Sequence, residues 1–457
     1  MREIIARQMS LVPGPIAHPH ARELAKMSEV LDQIPETVAL VHADLLQRNG
    51  KPVDPTKGRD GLTAEQVLRA LIVKQMNSFS YEELAFHLND SVTYRSFCRI
   101  GFEDGAITTA RLKVNLKRVK ADTLEAINRK LVLFAAANGV EEGEKVRTDC
   151  TVVESNIHSP TDSSLLWDCV RVLTRLMSEA AEDFGVQFND HQLRAKRRAL
   201  GILNAKNNEQ RLPLYRDLLK MTDKTVKGAE RIASELDEVK AGDMQQLLHA
   251  GALATELRHY TELAKRVISQ TERRVLYNES VPAGEKLVSI FETHTDIIVK
   301  DRRETLYGHK IALTAGASGM VTDVVVEAGN PADSTLAVEM VERQKEIYGK
   351  APLQVSFDGG FASKENLQAI KALDVKDVAF SKRRGMAVEE MATNRSVYRA
   401  LRNFRAGVEG VISYLKRSFG LDRCMWKGLA SFKAYVHASV LACNLLVIAR
   451  LLLNPSA

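Results

Sequence analysis

Apolar and polar positions change period several times along this chain, and each change marks a segment. Residues 1–60 carry little pattern apart from one helical stretch near Ala21–Gln47, with Pro13, Pro15, Pro19, Pro52 and Pro55 as punctuation. Thr63-Ala-Glu-Gln66 then forms a capping box ahead of Val67, Leu68, Leu71 and Ile72, the spacing of a helix with one apolar face. Asn77-Ser-Phe79 breaks that helix, and Ser80-Tyr-Glu-Glu83 opens a second one through a second box. Another helix is predicted to start near Ser91. Beyond Gly101–Gly105 a longer one is predicted from about Thr108 to Ala136, with Arg111, Lys113, Lys117, Arg118 and Lys120 near its start. Short helices, tight turns and a basic third element fit a helix-turn-helix module as well as a plain helical bundle.

The period then changes to that of a strand. Lys145–Val153 is rich in β-branched residues. From about Ser163 to Glu285 the pattern is helical almost throughout. Leu253, Leu257, Tyr260, Ala264 and Val267 recur at intervals of three and four, as in long paired helices. Strands return at His309–Ala315 and Met320–Ala328, flanking Gly-Ala-Ser-Gly at 316–319, a hairpin signal. A helix at Ala332–Gly349, a strand at Leu353–Phe357, a helix at Ser363–Ala372, a short strand at Asp377–Phe380 and a long helix at Asn394–Phe419 follow.

The simplest account is an α/β domain interrupted by helices and preceded by an all-α domain. The expected division is a partly helical N-terminal segment 1–60, a helical domain 61–138 that is a candidate for DNA binding, the first part of the α/β core 139–165, a helical insertion 166–286, the rest of the core 287–427, and a C-terminal apolar helix 428–457.

Composition narrows the class. Hydrophobic residues make up 45% and charged residues 27%, the balance of a globular rather than a disordered chain. The first eight residues lack the apolar run of a secretory signal. Val436–Leu453 is the most apolar stretch, but His437, Asn444 and Arg450 within it argue for a buried helix over a membrane span. Five scattered cysteines, none in CxxC, do not form a disulfide framework and fit a reducing cytoplasm. The histidines form no HExxH or His/Cys set, which argues against zinc. A net charge of +6 is compatible with nucleic acid.

Three carboxylates stand out by position. Asp149 lies inside a predicted strand, where an acid opposes strand propensity. Asp358 ends a strand and precedes Gly359-Gly360, the kind of turn where α/β sheets present ligands. Glu409 lies on the long helix between Gly407 and Gly410, which cost a helix about 1 kcal/mol each relative to alanine. On that helix Arg402, Arg405, Glu409, Ser413 and Lys416 share one face, while Phe404, Val408, Val411, Leu415 and Phe419 form the opposite one. Across 395–427 the only acids are Glu409 and Asp422, against Arg395, Arg399, Arg402, Arg405, Lys416, Arg417, Arg423 and Lys427. Such a face suits a polyanion beside a metal-binding carboxylate. Three carboxylates without a His/Cys set match the oxygen ligands Mg²⁺ prefers, and two such ions can activate both oxygens of a phosphodiester exchange. Asp301, Asp323 and Asp333 compete with Asp358 for the second position, and Asp333 also reads as a helix cap. His158 and Asp162 read as a capping cluster or as groups that support the catalytic acids, and Lys382-Arg-Arg384 as a surface loop or a phosphate contact.

With these residues in view the sequence resembles bacterial insertion-sequence transposases of the DDE type. Arg405-x3-Glu409-x6-Lys416 matches the later part of the Y-x2-R-x3-E-x6-K signature of one group, with Arg402 where that signature has tyrosine. Arg147-Thr-Asp149-Cys-Thr and Ser159-Pro-Thr-Asp162-Ser-Ser-Leu-Leu166 are similar to the family's first-acid segment. Tyr307-Gly-His-Lys310 and Gly329-Asn-Pro-Ala-Asp333 resemble its middle strands, and Phe357-Asp358-Gly-Gly-Phe-Ala-Ser363 its second-acid turn. The resemblance implies an RNase H-like catalytic core. It also implies Asp149, Asp358 and Glu409 as catalytic metal ligands, with Mg²⁺ or in its place Mn²⁺. Its DNA partners would be the terminal inverted repeats and target DNA, joined through a freed 3′-OH. Arg402, Arg405, Lys416, Arg417 and Lys310 are the expected DNA contacts. No membrane partner is expected; a cytoplasmic, nucleoid-associated protein acting as a homodimer or larger assembly is. The alternatives are a non-catalytic DNA-binding derivative, or an RNase H-like nuclease without strand transfer.

Overall fold

The computed structural model describes residues 16–48, 51–52, 61–101, 105–239, 243–300 and 304–454. Asp301 lies outside them. Contacts divide the chain into two units: one runs to Glu154 and resumes at His309, and the other is Ser155–Gly308.

The first unit opens with helices α1 (Pro19–Asp32) and α2 (Glu36–Leu45) and a two-stranded ribbon, β1 (Gln47–Arg48) and β2 (Lys51–Pro52). The single helix expected over 21–47 is therefore two. Pro35 stands at the N-cap of α2, where its missing N–H costs nothing but where it cannot extend α1. Helices α3 (Ala64–Met76), α4 (Tyr81–Asp90) and α5 (Val92–Phe97) follow, and the capping boxes of Thr63 with Gln66 and of Ser80 with Glu83 both form. The helix expected over 108–136 also divides, into α6 (Thr109–Leu116) and α7 (Ala121–Ala137). No glycine or proline marks this break. Val119 is buried between the two helices, and the Asp44 carboxylate on α2 accepts the Lys120 N–H at 2.9 Å, so a tertiary contact replaces the helical one.

Strand β3 (Lys145–Ser155) ends the first stretch of this unit. The second unit is mainly α8 (Asp162–Phe184), α9 (Gln192–Asn204), α10 (Asn208–Asp237) and α11 (Met244–Thr271). Leu166, Leu173 and Met177 of α8 share its core with Ile232 of α10 and with Leu253, Leu257 and Ala264 of α11, as the spacing predicted. Thr161 caps α8. Asp162 pairs with Arg274 at 2.9 Å and His158 with Asp168 at 2.7 Å, so both belong to local ion pairs. A short strand, β4 (Asp296–Lys300), pairs antiparallel with the first residues of β5 (Glu304–Ala315).

From His309 onward β5 belongs to the first unit. It forms the predicted hairpin with β6 (Val321–Val326). Then come α12 (Asp333–Tyr348), β7 (Gln354–Phe357), α13 (Lys364–Ala372), β8 (Asp377–Phe380), α14 (Val388–Met391), α15 (Arg395–Phe419), β9 (Arg423–Cys424) and α16 (Leu429–Leu453). The strand order in this unit's sheet is β6-β5-β3-β7-β8, with β3, β7 and β8 parallel. Helix α16 is long and apolar enough to cross a membrane, yet nearly all its residues from Phe432 to Ala449 are buried within the protein. Two of its buried polar side chains are satisfied there: Asn444 bonds both backbone groups of Val321, and Ser439 accepts from Gln75 at 2.7 Å. It packs on α1, α3, α7 and β6 as the core helix of this unit.

Candidate active site

The parallel register of β3 and β7 pairs Thr148 with Phe357. The next residue on each strand is therefore at the same level, and these are Asp149 and Asp358. Thr148 turns inward to bond Thr314 at 2.8 Å, so Asp149 faces the other way by strand alternation. Asp358 follows the last residue of β7, where the chain turns through Gly359 and Gly360. A Cβ on Gly359 would meet the Lys382 side chain at 2.7 Å, and one on Gly360 would meet an Asp333 oxygen at 2.6 Å. Only glycine lets this turn close against those two side chains.

Helix α15 brings the third acid. Asn394 caps its start and Gly420, at φ 70, ends it. Two bonds reach its backbone from the sheet: Arg147 donates to the Phe404 carbonyl at 2.9 Å, and Ser356 to the Leu401 carbonyl at 2.9 Å. The Arg147 guanidinium also stacks over the Phe404 ring at 4.5 Å. A Cβ on Gly407 would lie 2.0 Å from that guanidinium, which explains this glycine, whereas Gly410 has open space around it. Val408, Leu415 and Phe419 are buried as the amphipathic pattern predicted, and Phe404 and Val411 are half-buried.

The three acids converge on one cation. Arg405 reaches Asp149 at 2.8 Å, Glu409 at 2.9 Å and Asp358 at 3.4 Å. Exposure falls inward: the Glu409 side chain is 67% exposed, Asp358 42%, Arg405 17% and Asp149 14%. Burial raises the pKa of Asp149, only partly offset by Arg405 and by the Cys150 N–H, while the neighbouring Asp358 adds to the rise. At Asp358 the balance is reversed. Burial pushes its pKa up, but the Ser381 hydroxyl at 2.7 Å, the Gly359 N–H and Arg405 outweigh it and the value lies below the usual range. Three carboxylates against one guanidinium leave two negative charges to be balanced. The donors are all hard oxygens, a set suited to a divalent ion of the magnesium type.

Other expected residues fall elsewhere. Asp323 is only 3% exposed and is bound by Arg343, which also holds Glu125. Asp333, in the first turn of α12, pairs with Lys310 at 2.5 Å, and Lys310 also donates to the Pro331 carbonyl, so this lysine is already engaged. Lys416 is half-buried and lies 3.4 Å from Asp422; Arg402 and Arg417 are exposed. Ser381 and the positioning role of Arg147 were not foreseen. Lys382-Arg-Arg384 forms an exposed loop directly after Ser381, and that proximity to Asp358 is set by the β7–β8 pairing rather than by local sequence. Among the described residues one His/acid cluster occurs, Glu179, Asp183 and His249 in the second unit. There the His249 ring bonds Asp183 at 2.9 Å and stacks on Phe184, a cross-helix ion pair on the surface.

Fold and site together define a mixed α/β protein with a carboxylate centre at the ends of its parallel strands. The family comparisons make this particular. Residues 292–445 match the Transposase DDE domain, and residues 17–112 match the Transposase domain (DUF772). The chain belongs to the DDE-type insertion-sequence transposases and is a DNA transposase. The DDE match contains Asp358 and Glu409; Asp149 precedes it. The N-terminal match takes in α1 and α2 along with α3–α5 and the start of α6. No curated protein and no solved structure matches the chain.

Proposed function

We propose that this transposase cuts the ends of its element and joins the freed 3′-OH to target DNA, with Asp149, Asp358 and Glu409 as its catalytic acids. The convergence of three acids from β3, the end of β7 and α15 on the single Arg405 guanidinium carries this reading. The strand order β6-β5-β3-β7-β8, which is 3-2-1-4-5 counted along the chain from β3, supports an RNase H-like core. On that reading Ser155–Gly308 is an insertion between its first two strands.

The three acids would hold Mg²⁺, or Mn²⁺ in its place, which supplies Lewis-acid stabilisation of the attacking and leaving oxygens. The chain's own groups do the rest. Ser381 and the Gly359 N–H keep Asp358 ionised, and the register of β3 on β7 fixes its level against Asp149. Arg405 aligns the acids. Its planar fork also suits a phosphate, and its Nε is buried without a partner. Arg402 and Arg417, exposed on the helix that carries Glu409, and the exposed Lys382–Arg384 loop after Ser381 would grip the DNA backbone. Lys416 and Lys310 would join them only on leaving Asp422 and Asp333.

Purified protein, Mg²⁺ and labelled DNA carrying the element ends should yield nicked and joined products. Nicked products alone would reduce the activity to hydrolysis, and binding without either would favour a non-catalytic derivative. Asp358→Asn and Glu409→Gln should each abolish both products while leaving DNA binding intact. Normal cleavage by Asp358→Asn would contradict its place in the site.

A further inference from the structure

At the start of α16 the first unit carries a cavity of about 320 Å³ that the acid site does not use. Such a volume lies at the small end of ligand pockets. Trp426, Tyr81 and the largely exposed Met425 give it an apolar side. Lys113, Lys117, Lys120 and Lys427 give it a rim, and no carboxylate lines it. Lys120 is tied to Gln47 at 2.6 Å. Lys113, Lys117 and Lys427 are exposed, and no hydrogen bond or ion pair engages them among the described residues. Both rings have a fixed neighbour, the Lys74 ammonium, 4.9 Å from the Tyr81 ring and 5.9 Å from that of Trp426. The Trp426 Nε1 is buried without a partner. Fixed aromatic faces beside unpaired cations suit a flat base attached to phosphate.

We propose that this cavity takes an unpaired nucleotide of a DNA strand, its base against Trp426 and Tyr81 and its phosphates on the lysine rim. A strand fits better than a free nucleotide because further basic residues precede Lys427 of the rim in the chain, with Arg417 exposed on α15 and Arg423 and Lys416 reachable by a phosphate in exchange for Glu154 and Asp422. Glu409 lies ten residues before the end of that helix, about 15 Å along its axis. The inference rests on the transposase reading, but it is read out without metal or cleavage.

The chain has two tryptophans, Trp167 and Trp426, so Trp167→Phe leaves Trp426 as the only indole. In this full-length variant a 12-nucleotide oligo(dT) strand should quench the emission, and a duplex of the same length should quench it much less. Lys113→Ser with Lys117→Ser and Lys427→Ser should weaken oligo(dT) binding about tenfold or more. Trp426→Leu should weaken it about tenfold while changing duplex affinity less than twofold, given the usual contribution of a stacked base. Circular dichroism establishes that each variant is folded, and the quench in the Trp167→Phe chain stands even if Trp426→Leu is not. Absence of quenching by oligo(dT) overturns the proposal. So does equal quenching by inorganic phosphate, which defines a bare anion site, or binding of dTMP as tight as the oligonucleotide, which defines a free-nucleotide site. If Asp149→Asn retains cleavage while oligo(dT) still quenches, the acid assignment fails and the pocket stands; the converse result separates them the other way.

Discussion

Arg405 has two demands on it. It balances Asp149, which burial already disfavours as a carboxylate, and it carries the fork that a phosphate would need. Removing it leaves a mostly buried acid uncompensated. Arg405→Ala should therefore lower the stability of the metal-free protein by about 1–3 kcal/mol at neutral pH, the range for a charge-assisted hydrogen bond. The sign of the pH dependence follows from the raised pKa of Asp149. A carboxyl whose folded pKa lies above its unfolded value destabilises the fold as pH rises through that interval. Without Arg405 the rise is larger, so the melting-temperature gap between wild type and variant should be small near pH 4 and widen toward pH 7. A gap that closes as pH rises would contradict this. Arg405→Lys should restore much of the stability but little of the strand transfer, because an ammonium cannot reproduce the planar fork. Asp323 gives the contrast. Arg343→Met should destabilise the protein by about 3–5 kcal/mol, since it strands a buried carboxylate, and thermal melting measures it. Asp323→Asn should affect melting rather than the chemistry of cleavage.

Helix α15 shows how far an element can be read before its neighbours are known. Its cap, its stop at Gly420, its two faces and its acid between basic residues are all local features, and the sequence carries them. The reason for Gly407 is not local: Arg147 of β3 fills the space a methyl would take. Two glycines with the same sequence cost thus part company. Gly407→Ala should displace α15 from β3, lowering both melting temperature and cleavage. Gly410→Ala, with nothing within 4 Å, should be neutral or stabilising by up to about 1 kcal/mol. Equal effects at the two positions would remove the argument that Arg147 sets the helix position. The divided helices near the N-terminus have the same lesson. Pro35 is a local mark of one break, although the expected helix over 21–47 ran through it, whereas the break at 117–120 depends on Asp44 from another helix and has no local mark.

For the molecule as a whole, the transposase character and the mixed α/β core were legible because motifs and periodicity are local. Asp149 and Asp358 were legible as candidates, but their adjacency arises from strand register, and Ser381 and Arg147 enter the site only through pairing of distant strands. The helices matched by the N-terminal transposase domain should contact terminal DNA. Full-length protein should bind it with an affinity that falls steeply as salt rises, through release of condensed counterions. Equal binding of terminal and random DNA would leave these helices a non-specific role. Asp149 is the most exacting test of the account, because it lies outside the matched DDE segment and enters the site through the register of β3 on β7. The decisive measurement is cleavage of labelled element-end DNA by Asp149→Asn in Mg²⁺, with DNA affinity measured alongside. The account predicts wild-type affinity and a loss of cleavage beyond the about hundredfold typical of removing an outer partner of a metal ligand. Cleavage within a few fold of wild type would contradict it.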